Sequence, residues 1–328
     1  MCGIIGYIGS GNGIRVVTEG LKALEYRGYD SAGVAFHGAK GIRTVKEAGR
    51  VAALESKLKN LGARPGAAVI GHTRWATHGA PTRLNAHPHT DCKKRIALVH
   101  NGIIENYKEL RHALERKGHR FASETDTEVI AHCIEDRLAA LRSAAGSDSM
   151  EEAFRLTLNK LRGAYAIALI DKKRPSAIYF ARLGSPLVVG IGDGERFVAS
   201  DPAALVGRAK KVIYIGERQW GKIGNDEISL TPRTHIIEPL EWNTDAARKG
   251  RFPFFMLKEI FEAPETIRAA QMGRLMADGG FVKLGGLESI AHKLRAMKRL
   301  KIIACGTSHY AGLIGERLIE TFARIPVE

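Results

Sequence analysis

Apolar positions along the first three quarters of the chain fall into short runs rather than long stripes. Residues 2–8 form such a run at the very start. Strands are also predicted over 31–36, 67–73, 95–100, 164–170, 177–181, 187–191 and 197–200, with Gly, Pro or Asp separating the later ones. Between them the period changes to that of a helix. Asn12 is placed to cap a helix whose apolar face is Ile14, Val17, Leu21 and Leu24 and which stops near Arg27 and Gly28. Residues 104–117 read as helical up to Gly118. Thr125 and Glu128 read as a capping box that opens a helix through Ala140, and 150–161 is a further helix. Interleaving of this kind predicts a layered α+β fold, with helices covering two antiparallel sheets.

The pattern shifts near residues 241–251 (EWNTDAARKGR), a polar stretch that reads as a linker between residues 2–240 and 252–328. Beyond it, helical patterns cover 256–261, 264–276 and 287–297. Residues 302–308 (IIACGTS) then lead into a helical pattern over 309–324. This is the strand–loop–helix start of a parallel α/β domain, and one such unit cannot close a sheet, so 252–328 is expected to be the incomplete first part of a domain. A length of 328 residues agrees with roughly two domains.

Composition narrows the picture. Hydrophobic residues make up 45% and charged residues 26%, which excludes a disordered chain. No apolar run approaches the roughly 20 residues of a membrane helix. The N-terminus lacks the basic-then-apolar layout of a signal peptide. Four scattered cysteines (Cys2, Cys92, Cys133, Cys305) are too few for a disulfide scaffold, so a reducing, cytoplasmic setting is expected. Fifty Lys and Arg against 35 Asp and Glu give a net charge of +15. The basic residues are dispersed and not interleaved with aromatics, so neither a nucleic acid nor a membrane is expected as a partner.

Four local signals bear on chemistry. Removal of Met1 would give Cys2 a free α-amine with a reference pKa of about 7.7–8.0, so that one residue supplies both thiol and base; a structural cysteine is the other reading. In 71–79 (GHTRWATHG) a strand runs into a polar loop where the Arg74 fork could clamp a carboxylate, or where Trp75 merely packs. Asn101 and Gly102 could form an oxyanion hole or an Asn-Gly turn. Asp126 is placed in the first turn of a helix, where an ionised carboxylate is favoured with or without an ammonium ligand.

Taken in order, MCGIIGYIG, LEYRGYDSAG, GHTRWATHG, NAHPH, VHNGIIEN and SETDTEVI resemble the class II glutamine amidotransferases, a family of N-terminal-nucleophile hydrolases. The resemblance extends through Gly184–Leu187, Ala199–Asp201, Lys258–Ile260 and Ala304–Ser308, and is nearest to the branch that aminates fructose 6-phosphate. It implies a four-layer αββα glutaminase domain over 2–240, followed by the beginning of an α/β sugar-isomerase (SIS) domain. It further implies Cys2 as nucleophile, and Asn101 and Gly102 as the oxyanion hole. Arg74, Thr77, His78 and Asp126 would hold glutamine, and Arg27 and Trp75 would close the site and gate an ammonia channel. Thr307 and Ser308 would meet a sugar phosphate. The partners implied are L-glutamine and fructose 6-phosphate, with a homodimer if the full SIS region is present. The remaining isomerase motifs of that branch do not follow within this sequence, so the glutaminase half-reaction is what these residues alone are expected to support.

Rival readings rest on less. His87, His89, Cys92 and His100 lie close together but match no metal-ligand spacing, and no metal or cofactor is expected. Cys92 or Cys305 paired with His72 would be a different thiol hydrolase. Gly9, Gly11 and Gly13 lack the Lys-Ser/Thr of a phosphate loop. Within the family, the amidophosphoribosyltransferase branch shares the Cys2 chemistry.

Overall fold

Every residue from Gly3 to Gly9 is buried, as an unbroken apolar run covered on both faces requires. The computed structural model describes residues 2–225, 227–233, 235–240, 250–271, 274–276, 281–282, 284, 287 and 290–328. Two compact units emerge, Met1–Arg248 and Lys249–Glu328. Most of the stretch read as a linker, residues 241–249, lies outside the described residues. Among the described residues no helix is long and apolar enough to cross a membrane.

In chain order the first unit holds β1 (Gly3–Gly9), α1 (Gly13–Leu24), β2 (Ser31–Gly38), β3 (Gly41–Ala48), α2 (Val51–Leu58), β4 (Val69–Arg74), β5 (His89–Thr90), β6 (Ile96–Ile104) and α3 (Tyr107–Glu115). It continues with α4 (Glu128–Ala145), α5 (Met150–Leu158), β7 (Gly163–Asp171), β8 (Arg174–Leu183), β9 (Val188–Gly192), β10 (Glu195–Ala199), β11 (Lys211–Tyr214), β12 (Trp220–Ile223), β13 (Ile228–Thr231) and β14 (Ile237–Pro239). Two antiparallel sheets result. The eight-stranded one has the order β14-β11-β9-β10-β1-β4-β2-β3, and the six-stranded one β13-β12-β8-β7-β6-β5.

Alternation within β1 shows how the layers are built. Ile4 and Ile8 face the second sheet, meeting Val99, Ala168 and Phe180. Ile5 and Tyr7 face the opposite way, onto Val17 and Leu21 of α1. Leu54 of α2 joins the same outer cluster. On the far side Ile130 and Ile134 of α4 and Phe154 of α5 cover Ile167, Leu169 and Tyr179. Three buried clusters between four layers give the αββα order. Each large side chain buried in them contributes roughly 1.5–3 kcal/mol.

Several elements begin where predicted. Asn12 caps α1, its Oδ1 accepting the Arg15 N–H at 3.1 Å. Ser149 caps α5 in the same way through Glu152 N–H. Others differ. Thr125 and Glu128 do not form a capping box. Glu128 instead reaches back to accept the N–H groups of Ala122 and Ser123, and α4 starts at Glu128 itself. β6 runs on to Ile104, because residues 102–104 pair with residues 163–165 of β7, and the helix begins only at Tyr107. The Gly41–Leu58 hairpin strand and helix carry no clear signal in sequence. The first turn of α2 is capped from afar, by Glu25 Oε1 on Val51 N–H.

In the second unit, α6 (Phe255–Gln271) is one helix through Pro264, where two patterns were read. α7 (Ala291–Arg295) is short, and α8 (Thr307–Ala323) is the helix expected after the GTS loop. Residues 302–304 are not a strand in their own right. Leu300 bridges Val327 in parallel, supported by Leu300 N–H to Pro326 O and Ile302 N–H to Glu328 O. Residues 300–302 and 326–328 thus run side by side on either side of α8 in the chain, joined by one parallel bridge rather than as strands.

Candidate active site

The start of β1 decides where the first thiol sits. Gly3 pairs with Thr73, which puts Cys2 beside the end of β4. Trp75 N–H donates to Cys2 Sγ at 3.2 Å, and the thiol faces Trp75 O at 3.5 Å. A side chain at residue 3 would find no room: a Cβ there would lie 2.6 Å from Thr73 Oγ1 and 2.7 Å from Leu24 Cβ. Burial pushes the Cys2 thiol above its ordinary pKa, with the Trp75 N–H and the chain's amino terminus pulling the other way.

Cys2 opens onto a small, partly open cleft whose lining includes Arg74, Trp75, Thr77, Gly102 and Asp126. Six of the residues singled out in sequence therefore share one cavity. His87, His100, Thr125 and Thr127 complete it, and none of these had been assigned a site role.

Asn101 lies just beneath. Its Nδ2 donates to Cys2 O at 2.9 Å, and its Oδ1 meets His72 Nε2 at 3.0 Å. That nitrogen also faces His100 O at 3.1 Å. Two acceptors on one ring nitrogen require Nε2 to carry the hydrogen. Burial holds the His72 imidazole down to about 3, against the pull of Asn101 and His100, so the ring is neutral and its tautomer is fixed. The amide of Asn101 is thereby oriented with its nitrogen toward Cys2. Gly102 follows in a positive-φ conformation (125°), and a Cβ there would fall 2.0 Å from Ala164 O. Asn101-Gly102 is a strand residue pair, not a turn.

Arg74 ends β4 buried, and its guanidinium holds the following turn. Nη1 donates to Ala80 O at 3.2 Å, and Nη2 donates to Gly79 O at 3.0 Å and to His78 O. Asp126 is not in the first turn of a helix. It precedes α4 and its Oδ2 accepts Ile104 N–H at 2.8 Å, which ties the loop before α4 to the end of β6. The cleft thus carries a cation and an anion contributed by separate elements.

His78 and Arg27 are not among the residues that line the cleft. The His78 ring packs edge-on against Tyr107 at 5.3 Å. Arg27 is buried in an ion pair with Asp201 at 2.6 Å and donates to Ser200 O. Trp75 is half exposed, with Tyr29 against its edge at 5.4 Å. Gly28 lies so close to the chain after β4 that a Cβ would sit 2.7 Å from the Arg74 carbonyl carbon. Thr307 and Ser308 open α8 in the second unit, both exposed.

Neither rival thiol is among the residues that line this cleft. Cys305 is exposed in the second unit. His87 stacks on His72 at 4.1 Å and meets His89 edge-on at 4.7 Å. Cys92 points away from them, toward His119 and His132.

Comparison with known proteins agrees with this geometry. The glutamine amidotransferase domain family matches residues 72–207. The chain is 46% identical over its whole length to a glutamine–fructose-6-phosphate aminotransferase (isomerizing) of Thermus thermophilus, and covers 53% of that protein. For the protein of the same name from Pyrococcus horikoshii the values are 43% and 53%. The chain spans about half the length of the curated relatives it matches. Among solved structures, the glutamine phosphoribosylpyrophosphate amidotransferase of B. subtilis aligns with a TM-score of 0.57 and 25% identity, over 74% of this chain and 50% of that one. With the double sheet, the cleft at the N-terminal cysteine and these matches together, the first unit contains a glutamine amidotransferase domain and is similar in fold to the amidotransferases that use an N-terminal nucleophile.

Proposed function

We propose that the chain hydrolyses L-glutamine through a Cys2 thioester and that, within a longer protein, the ammonia passes to fructose 6-phosphate to give glucosamine 6-phosphate. The observation that carries this reading is the position of Cys2 Sγ at a cleft that also holds a buried guanidinium and a buried carboxylate. Free glutamine has one carboxylate and one ammonium on its α-carbon. Arg74 and Asp126 offer the complementary pair.

The chemistry follows from the environment. Burial disfavours a free-standing thiolate, so the proton must leave Cys2 as the carbon–sulfur bond forms. With Met1 removed, the α-amine of Cys2 takes that proton. The sulfur attacks the side-chain amide carbon, and the oxygen gains negative charge against Asn101 Nδ2 and Gly102 N–H. The amine returns the proton to the departing nitrogen, which leaves as ammonia. Water then splits the thioester, releasing glutamate and restoring the thiol. Arg27 and Trp75 close the site in this reading. Thr307 and Ser308 belong to the sugar-phosphate site of a SIS domain spanning 252–328 and the sequence that follows it in the full-length relatives, a region in which a homodimer forms.

Glutamate release by the purified protein tests the reading, with and without fructose 6-phosphate. An electrophilic glutamine analogue is expected to add covalently to Cys2, located by peptide mass spectrometry, and Cys2→Ala is expected to be inert and unlabelled. Labelling of Cys92 or Cys133 instead, or turnover surviving in Cys2→Ala, overturns it.

A further inference from the structure

Away from the cleft, four side chains from three parts of the chain converge. Cys92 lies on the turn between β5 and β6, His119 follows α3, and His132 and Glu135 stand one turn apart on α4. One ligand atom from each lies within 4.8 Å of all the others. Cys92 Sγ is 3.8 Å from His119 Nδ1 and 3.5 Å from His132 Nδ1. The two Nδ1 atoms are 3.3 Å apart, and Glu135 Oε2 is 3.2 Å from one and 3.6 Å from the other.

We propose that Cys92, His119, His132 and Glu135 form a structural zinc site. Around a tetrahedral zinc with bonds of about 2.0 Å to nitrogen or oxygen and about 2.3 Å to sulfur, ligand atoms stand about 3.3 Å apart for N/O pairs and about 3.6 Å for sulfur–nitrogen pairs. Four of the five observed separations follow that pattern, the exception being the 3.6 Å between His132 and Glu135, and the sixth pair, Cys92 with Glu135, lies within 4.8 Å. A thiolate, two imidazoles and a carboxylate are a donor set that suits zinc over calcium or magnesium, which take oxygen ligands.

The surroundings are those of a held site. His132 and Glu135 are buried, and the other ring nitrogen of His132 faces Glu128 Oε1 at 3.4 Å, a carboxylate placed to orient a metal-bound imidazole. Glu128 is itself anchored by the N–H groups of Ala122 and Ser123. Arg120 N–H donates to Cys92 Sγ at 3.4 Å, and Cys92 N–H donates to Glu135 Oε2 at 3.1 Å. Four ligands leave no position for a substrate, so the site is structural. Its place in the chain suggests what it holds. It joins α4, the turn before β6 and the segment from His119, and that segment leads directly to Thr125, Asp126 and Thr127 of the cleft.

Metal analysis of the untagged protein, purified without chelator and dialysed against trace zinc, tests this. About one zinc ion per chain is expected. Cobalt(II) added to the metal-stripped protein is expected to give the intense visible bands of a tetrahedral site, with a thiolate charge-transfer band that Cys92→Ser lacks. Chelation is expected to lower the melting temperature of the native chain by about 5 °C or more, and to leave Cys92→Ser and His119→Gln unchanged. A native chain that takes up neither zinc nor cobalt overturns the proposal, and this measurement does not depend on any variant folding. A Cys92→Ser protein with full zinc content and an unaltered cobalt spectrum overturns it equally.

Discussion

A single buried imidazole sets the direction of the amide beside Cys2. His72 is neutral and donates from Nε2, so Asn101 must present its oxygen to His72 and its nitrogen toward the cysteine. In the proposed reaction that nitrogen meets the charge that develops on the glutamine oxygen. Asn101→Ala is expected to lower kcat for glutamine hydrolysis by about 10²–10³-fold and to leave KM within about threefold, because the lost bond strengthens only in the transition state. Steady-state kinetics decide the point, and a rise in KM at constant kcat would make Asn101 a ground-state contact. Residue types were legible here and their geometry was not. Cys2, Arg74, Asn101 and Asp126 stand out as chemically capable side chains in sequence. That Arg74 holds the 78–80 turn, or that the Asp126 carboxylate accepts from Ile104, depends on which strands become neighbours. The His72 contact spans 29 positions and has no local signature.

Elements were legible where the burial of one face controls the pattern, as in β1, α1 and β7. They were missed where partners lie far along the chain, as in α2, whose cap is Glu25, and in β6, which outlasts its apolar run because β7 pairs with it through Ile104. Two features of these strands make testable claims. Arg95, just before β6, grips Asp171 at the end of β7 through Nε and Nη2 (2.9 and 3.1 Å) and reaches Asp148 through Nη1 at 2.6 Å. The Asp171 side chain is fully buried. Arg95→Ala is expected to cost about 2–4 kcal/mol in urea unfolding, because a buried carboxylate loses its bidentate partner and keeps only Arg174 at 3.5 Å and the Lys173 N–H at 3.1 Å. Arg95→Ala together with Asp171→Ala is expected to recover part of that loss. The second feature is the set of buried histidines on and around β4, β5 and β6: His72, His87, His89 and His100. Burial lowers all four, His72 to about 3. The fold therefore refuses protons that an unfolded chain accepts below about pH 6.5. The stability contribution of these groups is complete above about pH 6.5 and falls with decreasing pH, by about 1.4 kcal/mol per unit for each histidine that stays neutral. Urea midpoints measured at pH 7.5 and 5.5 are expected to drop steeply, and His89→Gln is expected to show a shallower drop.

At the scale of the whole molecule the two units differ in how far they are self-sufficient. All three buried clusters draw their residues from the first unit, and so does every residue lining the cleft. Leu240 still packs against one of those clusters, and its N–H donates to Lys210 O, so the unit extends through β14. In the second unit α8 buries none of its residues, and Ile303 and Phe322 are 96% and 81% exposed. The apolar run at 302–304 reads as a strand in sequence but is not one among the described residues, where 300–302 meet 326–328 through a single parallel bridge. The energetic consequence is that the first unit does not draw on the second for its core. A chain ended after Arg248 is expected to melt cooperatively within about 3 °C of the longer protein, and to hydrolyse glutamine with kcat within about threefold. Calorimetry and glutamate release measure both. Cooperative melting with turnover lost would place a catalytic requirement in the second unit while leaving the fold argument intact. Loss of cooperative melting would mean that the three clusters are not enough, and that the two units form one folding unit.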